Sequence, residues 1–355
     1  MNYKKILVTG GAGFVGSNIC LKLKEEFPHV EIIVLDNLSR KGSGLNIPRL
    51  EKAGITFLKA DVRNKKDLEI SGIDLIIECS AEPSVMAGVT SSPEYLLETN
   101  LVGAINCFEL ARKAKADVIF LSTSRVYPVK KLNELAFTEE ETRFALAPHQ
   151  DVVGSSVKGI SEEFPLDGVR SLYGATKLSA EFLLPEYAEN YGIKIVINRC
   201  GLLSGPWQMG KMDQGIIAYW VAAHIYDKSL SYIGYDGTGK QVRDVLHVDD
   251  FYALLSLQIK DMNAFNGGIY NVGGGRENSI SLQELTTICS ELSGKTLEIG
   301  KVLETRRGDI RIYITDNDMI QAKTGWTPQK TVRETTKDVY AWIMENKEDL
   351  KGVFT

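Results

Sequence analysis

A first apolar run at 6–8 leads into Thr9-Gly10-Gly11-Ala12-Gly13-Phe14-Val15-Gly16, and a second run at 32–35 ends on Asp36. Gly10 allows the tight turn that ends a strand. Gly13 leaves the backbone bare where a pyrophosphate can approach, and Gly16 lets the next helix press against the strand. Amides at that helix start, Phe14 and Val15 among them, offer donors to an anion. A glycine triplet alone is weak evidence. Here a strand precedes it, a helix follows, and an acid stands twenty positions past Gly16, which makes a dinucleotide turn. Asp36 would accept bonds from ribose hydroxyls and repel a 2′-phosphate, favouring NAD over NADP, although Arg40 could accommodate that phosphate.

Further short, branched apolar runs at 55–58, 73–77, 118–121 and 193–197 alternate with helical patterns at 14–25 and 95–113. This rhythm predicts an α/β fold, a doubly wound parallel (Rossmann) sheet. After about residue 200 the alternation breaks, apart from a strand at 242–247 and a helix at 249–259. A smaller mixed α/β substrate-binding domain is expected there, over the carboxyl ends of the strands. The expected division is 1–200 with 238–264 for the cofactor domain, and 201–237 with 265–355 for the substrate domain. The polar segment 147–169 reads as a surface loop.

At 355 residues the chain exceeds what one core usually organises. A net charge of −5 gives no reason to expect nucleic acid or an anionic membrane as partner. No apolar run is long enough to span a bilayer, and the first strand leaves no room for a signal peptide. Five scattered cysteines read as reduced thiols of a cytoplasmic protein. The four histidines lack metal-ligand spacing, so no metal is expected.

Chemistry is expected from Tyr173 and Lys177, four residues apart in an amphipathic run and therefore on one helix face. Tyr127 and Lys131 share the spacing, but Pro128 between them disfavours a continuous helix. A free phenol is a poor base at neutrality; a neighbouring ammonium and an oxidised nicotinamide favour its phenolate. Such a tyrosine takes a hydroxyl proton while hydride leaves the same carbon. Thr123, at the end of a core strand in Ser122-Thr123-Ser124-Arg125, is placed to bind the reacting oxygen and relay the proton. Asp61 with Val62, after the third strand, are candidate adenine contacts, and Ser80-Ala81-Glu82 can line the cofactor through backbone.

These residues resemble the extended short-chain dehydrogenase/reductase family over nearly the whole chain. The stretches Asp36-Asn37-Leu38-Ser39-Arg40-Lys41-Gly42, Leu172 to Lys177, Asp213-Gln214-Gly215, and Gly239 to His247 are similar to its branch acting on CDP-linked sugars. The resemblance implies tightly held NAD and Thr123, Tyr173 and Lys177 as the catalytic set. It implies Asn37, Ser39, Arg40, Ser122 and Asn100 beside the cofactor. Ser124, Arg125, Gln214 and Gln241 would meet a nucleotide-diphospho-sugar, with Arg243 and Arg306 gripping its diphosphate. A homodimer through the helices at 95–113 and 173–191 is also implied.

Dehydratases of this family carry an Asp-Glu pair directly after the threonine, and its decarboxylases a Glu at the second position. Here Ser124 and Arg125 stand there, neither an acid or base at neutral pH. Epimerisation needs only one base, one hydroxyl and a retained cofactor, and is the expected reaction. A UDP-sugar 4-epimerase is the main alternative, and a non-catalytic NAD-binding regulator the reading from another class.

Overall fold

The computed structural model describes residues 3–89, 91–211, 214–306 and 308–354. Asp213 lies outside them. Two compact units divide the chain: Met1–Val126, Leu172–Arg199 and Tyr252–Tyr270 form the first, and Tyr127–Ser171, Cys200–Phe251 and Asn271–Thr355 the second. Segment 127–171 thus falls in the second unit. So does the strand Val242–His247, which the sequence reading assigned to the first domain.

The first unit is built on a seven-stranded sheet. Six strands match the apolar runs: Lys5–Thr9, Glu31–Asp36, Thr56–Lys59, Leu75–Glu78, Asp117–Thr123 and Ile195–Cys200. The seventh, Gly268–Val272, was not anticipated, since Gly-Ile-Tyr-Asn-Val lacks a continuous apolar run and sits at the sheet edge. From that edge the order runs 268–272, 195–200, 117–123, 75–78, 5–9, 31–36, 56–59. The first strand pairs in parallel with Glu31–Asp36 on one side and Leu75–Glu78 on the other. Chain order reverses there, and at such a switch point the loops past the carboxyl ends part to form a ligand crevice.

Three of the helices cover the strands. Phe14–Glu26 buries Ile19, Cys20 and Leu23. Gly103–Ala114 and Leu172–Tyr191 contribute Cys107, Phe108, Ala180 and Leu184 to one apolar core with Leu7, Ile76, Phe120 and Ile197. Leu172–Tyr191 continues through Pro185.

The helix expected over 95–113 has a break in its regularity: Glu94–Leu97 and Gly103–Ala114 are joined by a π-helical turn, Glu98–Val102. Two local demands coincide there. Asn100 reaches out to backbone at Glu82, and a Cβ at Gly103 would lie 2.6 Å from Val62 Cγ2.

In the second unit Val242–His247 is the hub of a four-stranded sheet, pairing with Leu202–Ser204, Ser279–Ser281 and Ile312–Tyr313. Helix Ile216–Tyr226 packs against Leu282–Ser293 and Val332–Glu345. The latter two begin with reciprocal capping pairs, Ser281–Glu284 and Thr331–Glu334. Segment 147–169 is more than a surface loop. It carries the hairpin Ser155–Ser156/Gly159–Ile160, buries Ile160 and Phe164, and bridges Ile160 to Thr315.

Candidate active site

The three motif glycines do different work. A Cβ on Gly10, whose φ is +61°, would sit 2.9 Å from the carbonyl carbon and oxygen of Cys79, where the first strand's turn meets the loop after Leu75–Glu78. A Cβ on Gly16 would come within 2.6 Å of Gly10 O and Gly11 Cα. Both positions are closed by protein backbone. Gly13 differs: its Cβ would meet one atom, Gly10 O at 3.0 Å, and the side chain would otherwise project into open space.

Gly13 also caps helix Phe14–Glu26, whose start has no side-chain cap and no acid in its first turn. Donors left unsatisfied at a bare helix start suit a pyrophosphate, so the residues present fit a dinucleotide. Gly13→Ala is therefore expected to abolish NAD retention while lowering the melting temperature no further than stripping NAD from the wild-type protein does. Gly16→Ala is expected to lower both; NAD extracted from the purified variants, with their melting curves, checks this.

Asp36 is fixed from two sides, accepting N–H bonds from Ala12 (3.1 Å) and Leu38 (2.8 Å). Burial pushes its carboxyl up, a rise that the amides of Leu38, Ala12 and Gly13 offset only in part. Leu38 holds a left-handed backbone (φ 59°), a strained choice for a branched residue. Asn37 donates to Asp61 at 2.9 Å. The Arg63 guanidinium brackets both Asp61 oxygens and, with Asn37, lowers that carboxyl to about 2 despite partial burial. Arg63 lies 4.9 Å from the Tyr95 ring centre, and Tyr95 donates to Ser39 at 3.1 Å. The Asp61–Val62 loop is pinned by Asn106, which donates to Val62 O at 2.8 Å.

Asn100 is fully buried. Its carbonyl accepts the Glu82 amide at 2.8 Å and its amide donates to Glu82 O at 3.0 Å, so it shapes the Ser80-Ala81-Glu82 loop. Thr123 ends the strand Asp117–Thr123, and its hydroxyl accepts the Arg125 N–H at 3.2 Å. Ser124 and Arg125 lie in the 3₁₀ turn that follows. Ser122 gives its hydroxyl to Glu181.

Tyr173, Lys177 and Glu181 recur every four residues along helix Leu172–Tyr191, and all three are buried. Lys177 donates to Glu78 at 3.1 Å, the two side chains only 2% and 1% exposed, and its ammonium lies 4.2 Å from the Phe120 ring centre. Glu181 accepts two bonds from Arg199 Nε and one, at 2.7 Å, from Arg199 Nη2.

The sequence reading missed Glu78, Glu181 and Arg199. Glu181 could have been found by extending the Tyr173–Lys177 spacing one more turn. Glu78 and Arg199 are charges just past apolar strand runs, a pattern that asks for a partner where the strand end is buried.

The decoy pair behaves differently. Tyr127 is buried in the second unit, donating to Asn271 at 2.7 Å, and Lys131 reaches Asp167 at 2.7 Å.

The remaining predicted residues belong to the second unit. Arg243 donates to the carbonyls of Val242 and Ile310, each at 2.7 Å. Gln241 donates to Ile233 O, and its own carbonyl oxygen is buried without a hydrogen-bond partner. Gln214 pairs its backbone with Lys211, and the backbone carbonyl of Arg306 accepts the Asp309 N–H. Among the described residues no group of His, Cys, Asp and Glu could hold a metal ion. None of their helices is long and apolar enough to cross a membrane.

The chain is similar to known proteins along nearly its whole length. The chain is 29% identical to CDP-paratose 2-epimerase of Salmonella typhi over 95% of its length and 98% of that protein's. Among solved structures it is similar to UDP-glucose 4-epimerase of Thermotoga maritima, crystallised with UDP-glucose (26% identity, TM-score 0.77, covering 97% and 99% of the two chains). It is also similar to UDP-glucose 4-epimerase of Thermus thermophilus in complex with NAD (26%, TM-score 0.76, covering 96% and 99%). The profile of the NAD dependent epimerase/dehydratase family matches residues 6–273. The chain is thus an NAD-dependent enzyme that belongs to the NAD dependent epimerase/dehydratase family.

Proposed function

We propose that the protein is a nucleotide-sugar epimerase that inverts C2 of a CDP-linked dideoxyhexose, interconverting CDP-paratose and CDP-tyvelose through a transient ketone. The observation that carries the choice of epimerisation is the turn after Thr123. Serine and arginine occupy Ser124 and Arg125, so the acid pair that elimination of water needs is absent there. Similarity to CDP-paratose 2-epimerase along 95% of the chain supports the CDP-sugar.

In this reading Thr123 holds the reacting hydroxyl and Tyr173 removes its proton. Lys177 supplies the positive charge that makes the phenol a base. NAD, held at the turn of Gly10, Gly13 and Gly16, would supply a reversible hydride acceptor for the sugar carbon. Between the two transfers the ketone turns over, and Tyr173 returns the proton to the oxygen. Arg243 holds the diphosphate, its guanidinium already aligned by two backbone carbonyls, and Arg306 assists. Asp36, Asn37, Ser39 and Asp61 bind the adenosine half of the cofactor; Arg40, Val62, Ser80, Ala81 and Glu82 line it.

Exposed Leu97 and Val102 on one helical segment, with Phe182 and Tyr191 on another, support a homodimer formed through these segments. Five free thiols suit the cytoplasm.

The test is incubation of the purified enzyme with CDP-paratose and no added NAD, followed by chromatography of the sugars. Appearance of CDP-tyvelose is expected. A second reading, 4-epimerisation of a UDP-sugar, is favoured by the solved structures named above. Conversion of UDP-glucose to UDP-galactose with CDP-paratose untouched would select it.

A further inference from the structure

Glu78 ends a strand whose residues are all buried, at the switch point of the sheet, and no step of the proposed reaction uses it. A buried carboxylate is costly unless paired, and the partner here is Lys177, the residue expected to activate Tyr173. The other groups around Glu78 carry no full charge. Thr9, on the neighbouring strand, points its hydroxyl at the carboxylate from 3.5 Å, and the Ser80 amide bonds to it. Cys107, on helix Gly103–Ala114, has its thiol pushed well up by burial and then by the Glu78 charge, so it stays neutral. The Phe120 ring of the next strand closes the Lys177 side. One turn further along the Lys177 helix, Glu181 is already matched by Arg199.

The ammonium of Lys177 thus has one anionic partner among the described residues, and that partner opposes its action on Tyr173 one turn away. We infer that Glu78 is a positioning residue for the catalytic base: it holds the Lys177 ammonium at the sheet and weakens that ammonium's pull on the Tyr173 phenol. Burial raises the Glu78 carboxyl, and the Lys177 charge and hydrogen bond offset that rise only in part, so its ionised form depends on the lysine. The sign follows. With the carboxylate present the phenol ionises at higher pH than the lysine alone would allow; without it, at lower pH.

This rests on Tyr173 being the base. Glu78→Gln is expected to move the acid limb of the kcat/KM–pH profile down by about one pH unit, whereas Glu78→Asp keeps the wild-type limb. A second readout needs no turnover. Phenolate absorbance, taken as the difference between each protein and its Tyr173→Phe counterpart, should show the same downward shift. Unchanged limb and unchanged absorbance midpoint in Glu78→Gln overturn the inference.

If that variant does not fold, Glu78→Ser, small enough to admit water beside the Lys177 ammonium, takes its place. Its phenolate midpoint should lie below that of the wild type, and an unchanged midpoint overturns the inference. A Tyr173→Phe enzyme with wild-type turnover removes the underlying reading, and the inference with it. An inactive Tyr173→Phe beside an unshifted Glu78→Gln removes the inference alone.

Discussion

Tyr173→Phe should lower kcat about a thousandfold while leaving the fold and the NAD content as they are. Tyr173 is buried near the start of its helix, and phenylalanine preserves the ring that packs there. Only the hydroxyl is lost, and with it the group that takes the proton. Thr123 cannot replace it: an alcohol hydroxyl is a far weaker acid than a phenol, and here it already accepts the Arg125 N–H. Steady-state kinetics with a melting curve and NAD extraction separates this from unfolding. Turnover within a few-fold of wild type would show that another group is the base.

Glu181→Ala should have the largest effect on stability, about 3–5 kcal/mol in chemical denaturation. The carboxylate and the Arg199 guanidinium are almost wholly buried and bonded through two nitrogens, so neither screening nor side-chain mobility dilutes the pair. Truncation strands the Arg199 charge in the core and removes the acceptor of the Ser122 hydroxyl. Ser122 precedes Thr123, so loosening this anchor should lower kcat as well. Glu181→Gln, which keeps the shape and one acceptor, should fall between wild type and alanine. An alanine variant as stable as wild type would mean that water or local rearrangement rescues Arg199.

How much of this was legible in the sequence follows from the range of each interaction. The strand–glycine turn–helix backbone was legible in the sequence because most of its constraints are local. Gly13 and Gly16 answer to backbone within a few positions, and Asp36 is a fixed number of residues away, although the backbone that closes on Gly10 is that of distant Cys79. Buried parallel strands announce themselves as branched runs, and six of seven were found. The seventh, Gly268–Val272, is an edge strand whose neighbour, not its composition, makes it a strand. Segment 147–169 was misjudged for the same reason: Ile160 and Phe164 are isolated apolar residues whose partners lie far along the chain. Helix spacing paired Tyr173 with Lys177 and let Pro128 dismiss Tyr127. It could not say that Lys177 meets Glu78, 99 positions away in sequence, because strand order alone decides that meeting. The π-helical turn at Glu98–Val102 likewise coincides with contacts to Glu82 and Val62 that no helical period records.

The central claim is that hydride leaves a sugar carbon and returns to the same carbon while Tyr173 handles the hydroxyl proton. It is tested most directly by running the epimerisation in heavy water and examining the product by mass spectrometry and proton NMR. The account predicts an inverted sugar with no deuterium at the inverted carbon, because the hydrogen never equilibrates with solvent. Incorporation of one deuterium at that carbon would show that inversion proceeds by removal of a carbon-bound proton, and would contradict it.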